Sequence, residues 1–503
     1  MIFFSIAYNI RMPTKKIYTN TLAQIAGKVM TGLISIFLIK IVADYLDTSG
    51  YGMYSKIYNY LSIFAVLADL GLYTISVREM SQVHDNPEKL EKISGNILSL
   101  RTISGLMIMC LALGIGFFME GYNSPTALLS IFIVSIFTLL GLIHSSIMSY
   151  LQAILKTEFS FIANTAGKLA TFGLVAFFAY GLFPKNSVSP EFGLIMVFLA
   201  GLAGNLVMTG LIFWHAKKFH KIRFYWDSEY IKKILKMSIP YGIALFLGVI
   251  FFKVDTLFLS LMEDASVSDK IIGIYSIPMK IVEVGMMYGT IFLNSFLPVL
   301  TASISENRVT DTKNLSLKGF ELLFGFGVGI SVFLAFFAEK IIPFISSESF
   351  LKPINGANSV DVMQIVAWIF LFYFISSLAN YILIAKNEQK KIIYVNLFIA
   401  LVNIVGNLVI IPFYSFIGSA VVTLASQALL VMISLFLVRD TLYFGKILSK
   451  SALLLCAGIF SGCITFMAMN FFSIKSLFFS LALTGSIFGI LYLAFWWLIR
   501  KIP

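Results

Sequence analysis

Charge is scarce in this sequence. Asp, Glu, Lys and Arg supply 12% of its 503 residues, about half the share found in soluble domains. An ordinary solvated globular surface is therefore excluded. Cysteine is rarer still: Cys110, Cys456 and Cys463 all lie inside apolar runs, so they provide neither a disulfide framework nor metal-ligand spacing. No Gly-rich phosphate loop precedes a Lys-Ser/Thr pair, no His/Cys cluster has metal spacing, and no nucleophile elbow is present. The chain thus encodes no ATP-driven pump of its own, and neither a metal nor a cofactor is expected. The period-2 alternation of an outer-membrane barrel is also missing.

Apolar residues fill the gap. They make up 59% of the chain, and the mean hydropathy is +0.91. The fold class is an all-α polytopic membrane protein. Fourteen apolar runs are long enough to cross a bilayer: 18–43, 53–77, 94–118, 125–150, 159–183, 191–215, 234–262, 271–302, 317–344, 360–385, 392–411, 416–438, 448–470 and 474–499. The net charge of +12 would suggest nucleic acid on a soluble protein. Here it points to loops facing anionic lipid, with no nucleic-acid partner. The opening MIFFSIAYNIRMPTKK carries its charge after its apolar part, the reverse of a signal peptide. It reads as an interfacial lead-in, and Met12 offers a second start.

Loop charges set the orientation. With the N-terminus inside, 25 of the 37 Lys and Arg residues fall in cytoplasmic segments and 5 in outer loops. Both termini are therefore expected in the cytoplasm, in a bacterial inner membrane. The remaining seven, Lys28, Lys40, Lys56, Arg101, Lys168, Lys253 and Lys280, lie within spans. Lys40, Lys56 and Arg101 are close enough to span ends for their side chains to snorkel to the interface.

The seventh span contains IFFKVDTLFL, with Lys253 and Asp255 two residues apart. At that depth each charge costs about 2.5–3.5 kcal/mol on insertion scales. The offset points the two side chains to different sides of a helix. A short internal repeat surrounds this stretch. Gly52-Met53-Tyr54-Ser55 matches Gly273-Ile274-Tyr275-Ser276, each opening the span after the first of its half, and FLIKIVADYL places Lys40 beside Lys253 of FFKVDTLFL. The expected organisation is a six-helix bundle at 1–216, a basic cytoplasmic linker at 217–236, a second six-helix bundle at 237–440, and two further helices at 441–503. The bundles would be related by a pseudo-twofold axis along the membrane normal.

GYGMYSKIYNYLSIFAVLADLGLYTISVREMS (50–81) and FKVDTLFLSLMEDASVSDKIIGIYSIPMKIVE (252–283) resemble the polysaccharide-synthesis flippases, the Wzx-type oligosaccharide exporters of the multidrug/oligosaccharidyl-lipid/polysaccharide superfamily. The likeness rests on a D-x-G followed by an Arg-Glu pair, a K-x-D, and a G-x-Y-S helix start. It implies a transporter rather than an enzyme. Its substrate would be a polyprenyl-pyrophosphate-linked oligosaccharide, moved by alternating access and coupled to a cation gradient. Membrane lipids surround the chain, a polysaccharide polymerase and a chain-length regulator are the implied pathway partners, and a monomer is expected.

Anionic phosphates next to a polar glycan call for cations and polar groups inside the spans. The candidate substrate contacts are Gln24, Lys28, Lys40, Lys56, Lys168, Lys253 and Lys280. Gln24, Lys28, Thr31 and Ser35 share one face of span 1, as do Asn164, Lys168 and Thr171 of span 5. Each set is either a cavity wall or a polar helix contact. Lys280 and Glu283 either neutralise each other or divide between substrate and tuning. Candidates for a coupling ion are Asp69, Asp255 and Glu283, with Asp255 turned toward a partner such as Lys280 or toward the ion itself. A cation-coupled multidrug exporter and a lipid II flippase are the competing readings.

Overall fold

A computed structural model describes residues 15–83, 85–185, 187–219, 221–470 and 476–500; side chains at 15–26, 28, 29, 244 and 291 lie outside that description. Every named element among the described residues is helical, and the one β-bridge pairs Ile354 with Ala357. The helices are α1 Lys15–Asp69, α2 Leu72–Ser81, α3 Pro87–Phe118, α4 Pro125–Ala153, α5 Thr157–Phe177, α6 Pro190–Ala216, α7 Ser228–Met262, α8 Ala265–Ser305, α9 Val309–Phe336, α10 Ala338–Ile345, α11 Ser359–Val366, α12 Ile369–Ala385, α13 Gln389–Leu437, α14 Phe444–Asn470 and α15 Leu477–Arg500.

Local chemistry explains several starts. Asn86, Ser124 and Ser189 each accept a hydrogen bond from the backbone N–H three residues on, and Pro87, Pro125 and Pro190 follow them. A capping side chain followed by proline at the first helical position satisfies or removes the otherwise unpaired donors. Asn358 and Asp361 cap α11 reciprocally.

Twelve helices among the described residues are long and apolar enough to span a membrane. Two of these stretches, of 52 and 49 residues, exceed the roughly 20 residues needed for one crossing. Each holds an interior break at positive φ, Asp47 at 56° in the first and Ser415 at 51° in the second, where one helix ends and the next begins; the first stretch turns again at Leu70 and Gly71, before α2. Counted as two crossings each, they bring the total to the fourteen spans expected from the sequence. Span 10 is built from α11 and α12.

The chain folds as two compact units, one of Met1–Leu38 with Leu61–Phe246 and the other of Ile39–Tyr60 with Leu247–Pro503. The division therefore falls inside α7 rather than at the basic linker, and residues 39–60 belong with the second unit. A close crossing inside that unit shows why. A Cβ on Gly52 would lie 1.6 Å from the carbonyl oxygen of Asp269, and one on Gly273 would lie 2.0 Å from that of Thr48. Each glycine meets the residue four positions before its counterpart, so the repeated G-x-Y-S starts pack on one another about a local twofold. Only glycine permits that backbone approach, the small-residue packing that suits helices in lipid.

Candidate functional site

The second unit holds most of the intramembrane charge. Asp255 of α7 is fully buried. Its carboxylate accepts hydrogen bonds from Tyr275 Oη at 2.6 Å, Asn407 Nδ2 at 2.9 Å and Thr423 Oγ1 at 2.7 Å. Asn407 also donates to Asn403 and accepts from Ser419 Oγ at 2.7 Å. The break at Ser415 folds α13 back, so Asn403 and Asn407 approach from one arm while Ser419 and Thr423 approach from the other. No basic side chain pairs with Asp255 among the described residues. Three neutral donors hold the carboxylate, and none of them brings a compensating charge. The surrounding hydroxyl and amide oxygens are the hard donors that a proton or an alkali cation would meet there. No cluster of three or more His, Cys, Asp or Glu occurs among the described residues.

Lys253, two residues earlier, points elsewhere, as the offset required. It donates to Glu283 of α8. Lys280, one helical turn before Glu283, binds the other carboxylate oxygen at 3.0 Å. The three residues carry a net positive charge, and the side chain of Lys280 remains 47% exposed. Lys280 thus turns to Glu283 rather than to Asp255. The i, i+3 pairing read from the sequence is present, with Lys253 added to it.

The other two candidate lysines of this unit, Lys56 and Lys40, are engaged within the fold. Lys56 is buried against Asp269 at 2.5 Å. Lys40 donates to the carbonyls of Pro343 and Ser346, at 3.2 and 2.5 Å. A cation there complements the negative end of α10.

In the first unit Asp69 pairs with Arg101. Arg101 was expected to snorkel to the interface. It is instead fully buried and also donates to Ser145 Oγ at 2.8 Å. The reason is length: α3 runs for 32 residues, more than a bilayer requires, so Arg101 falls well along the helix and opposite Asp69. Tyr73, whose ring lies 6.0 Å from the guanidinium, donates to Gln152. Lys168 is exposed and donates to Ser35 Oγ at 3.3 Å, which joins the polar stripes of spans 1 and 5. The side chains of Gln24 and Lys28 lie outside the described residues. His144 is buried.

Arg101 and Tyr275 stood out in the sequence without a site role, and Asn403, Asn407 and Thr423 did not stand out at all. Two signals were available: asparagines at i, i+4 in the apolar run 392–411, and the tyrosine of the second G-x-Y-S.

The sequence matches the family model described as polysaccharide biosynthesis protein over residues 17–304. The chain belongs to this family. A second model, MatE, matches residues 240–409, the region that contains Asp255, Glu283 and Asn407. Among curated proteins none matches. Among solved structures, this polysaccharide biosynthesis family member is similar to the lipid II flippase MurJ in an inward closed conformation. Identity is 17%, the match covers 95% of this chain and 98% of the other, and the TM-score is 0.69. An inward-facing multidrug resistance MATE family transporter matches at 13% identity, with 84% and 98% coverage and a TM-score of 0.63. A superfamily transporter from Pyrococcus furiosus, noted for the reverse polarity of its binding pocket, matches at 13% identity, with 84% and 93% coverage and a TM-score of 0.55. These likenesses establish a shared fold. With the family matches, they place the chain among the membrane transporters of the multidrug/oligosaccharidyl-lipid/polysaccharide superfamily, not among enzymes.

Proposed function

We propose that this transporter moves a polyprenyl-pyrophosphate-linked oligosaccharide, the repeat unit of an O-antigen, capsule or exopolysaccharide, from the cytoplasmic to the outer leaflet by alternating access. The observation that carries the reading is the Lys253–Glu283–Lys280 group. It is a net positive charge within membrane spans, with the Lys280 side chain still about half exposed, in a chain of the polysaccharide biosynthesis family. A pyrophosphate headgroup gains from such a group, whereas a cationic drug is repelled by it. Glu283 fixes both lysines and lowers the cost of keeping them in the membrane.

Asp255 supports cation coupling, since its charge is held by neutral donors and an entering proton or sodium ion would complete it. Asp69 suits that role less well, because a cation would have to displace Arg101. Loop charge supports an inner-membrane location with both termini cytoplasmic. A polymerase and a chain-length regulator are the partners such a pathway requires.

Two alternatives each have an observation behind them. The MatE match over 240–409 favours a cation-coupled drug exporter, and the likeness to MurJ favours lipid II, which shares the headgroup chemistry. Surface glycan in a deletion strain separates them. Loss of glycan restored by the wild-type gene, and restored poorly by the Lys253→Gln/Lys280→Gln variant at equal expression, is the expected result. Unchanged glycan with new drug sensitivity supports the exporter, and lysis on depletion supports lipid II.

A further inference from the structure

The linker between α6 and α7 forms a second charged and aromatic feature, inside the first unit and apart from the transport residues. From Lys217 to Lys236 it carries Lys217, Lys218, Lys221, Arg223, Lys232, Lys233 and Lys236, all exposed, against the exposed acids Asp227 and Glu229. Two of these cations have a loose carboxylate neighbour: Arg223 lies 3.8 Å from Glu91, and Lys233 lies 3.8 Å from Glu79. Lys217 and Lys218 rest on the rings of Phe213 and Trp214. Lys221, Lys232 and Lys236 have no carboxylate within 4 Å among the described residues.

Residues 221–227 are non-helical and lie across α3. The crossing is built in. A Cβ on Gly95 would meet the Arg223 carbonyl oxygen and the Tyr225 ring, both at 2.5 Å, and Asn96 Oδ1 accepts from the Asp227 backbone N–H at 2.6 Å. Beside this crossing Ser99, Thr102 and Ile103 of α3 and Phe224, Tyr225 and Trp226 of the linker enclose an open crevice of about 270 Å³. Phe224 and Trp226 stay 67% and 55% exposed beside it. The crevice continues along α3 as an exposed apolar stripe, Ile103, Met107 and Leu111, spaced by one helical turn.

We infer that this crevice binds one anionic glycerophospholipid. Its acyl chain follows the Ile103–Leu111 stripe beneath Trp226, and its phosphate lies against the cations around Lys221 and Arg223. Charge complementarity selects the occupant. An apolar slot whose linker wall follows directly on Lys221, which has no carboxylate within 4 Å among the described residues, and on Arg223, held only loosely by Glu91 at 3.8 Å, fits an anionic lipid of the leaflet that the basic linker faces, with Trp and Tyr as interface residues. A zwitterionic lipid would gain the apolar contact alone.

Native mass spectrometry of the full-length protein in detergent tests this. Phosphatidylglycerol and phosphatidylcholine with the same acyl chains are added in turn. The expected result is stronger retention of phosphatidylglycerol. Lys221→Gln and Arg223→Gln should each weaken it by about fivefold and leave phosphatidylcholine unchanged. Trp226→Ala should weaken both lipids. If that variant is not recovered monodisperse, Phe224→Ala carries the same test. Equal retention of the two lipids would mean an ordinary lipid annulus and overturn the proposal. So would charge variants that keep the preference, aromatic variants that change nothing, or a protein that retains neither lipid.

Discussion

Asp69 and Asp255 are both aspartates within membrane spans, yet the two units treat them differently. In the first unit a buried guanidinium cancels the charge of Asp69. In the second, a tyrosine, an asparagine and a threonine hold Asp255 by hydrogen bonds alone. The first arrangement is complete in itself: either partner removed alone strands the other in a low-dielectric setting. The second leaves a carboxylate with no cation paired to it among the described residues, a place that a proton or another exchangeable cation could take. On the function proposed above, one unit uses its acid for architecture and the other offers its acid for coupling.

The comparison breaks most visibly at Arg101. Arg101→Leu leaves Asp69 without its cation and should cost about 3 kcal/mol or more, seen as a large drop in thermal stability in detergent. Arg101→Leu combined with Asp69→Leu should recover much of that loss. A double variant no better than the single would show that the pair is not the architectural element described here. The next effect concerns the local twofold of the second unit. Gly52→Ala forces the crossing with Asp269 apart and should cost about 1–3 kcal/mol. Gly248→Ala, where the added Cβ meets nothing within 4 Å, should be neutral or mildly stabilising in its helix. Equal effects at the two positions would remove the close crossing from the account.

A smaller effect sharpens the contrast between the acids. A cation bound to the folded state raises its melting temperature. Sodium, or protons at lower pH, should stabilise the wild-type protein and Asp69→Asn, but not Asp255→Asn. Stabilisation that survives Asp255→Asn and disappears with Asp69→Asn would reverse the roles of the two units.

The fold was largely legible because lipid imposes a simple rule: apolar runs of sufficient length become helices, and basic loops order them. Lys280 with Glu283 was legible for a similar reason, since one helix turn brings them together. Whatever depended on distant chain segments was not. The donors to Asp255 come from positions 275, 407 and 423, and no periodicity connects them to 255. Arg101 looked like a snorkelling residue because the apolar run starts only a few residues before it, whereas α3 begins at Pro87 and sets Arg101 opposite Asp69. The G-x-Y-S repeat could be read as a repeat. That its two copies pack against each other required the tertiary structure, because glycine's lack of a side chain gives no signal of what approaches it.

On the proposed function, cations fixed by Glu283 guide an anionic lipid-linked glycan across the membrane. Purified protein reconstituted in proteoliposomes with a polyprenyl-pyrophosphate-linked oligosaccharide, read by access of an external glycosidase, tests it directly. Translocation by the wild-type protein should fall at least about tenfold in Lys253→Gln/Lys280→Gln, each lost charge contributing on the order of 1 kcal/mol or more. Translocation unchanged in that variant, or absent from the wild-type protein while a cationic drug is moved instead, would contradict it.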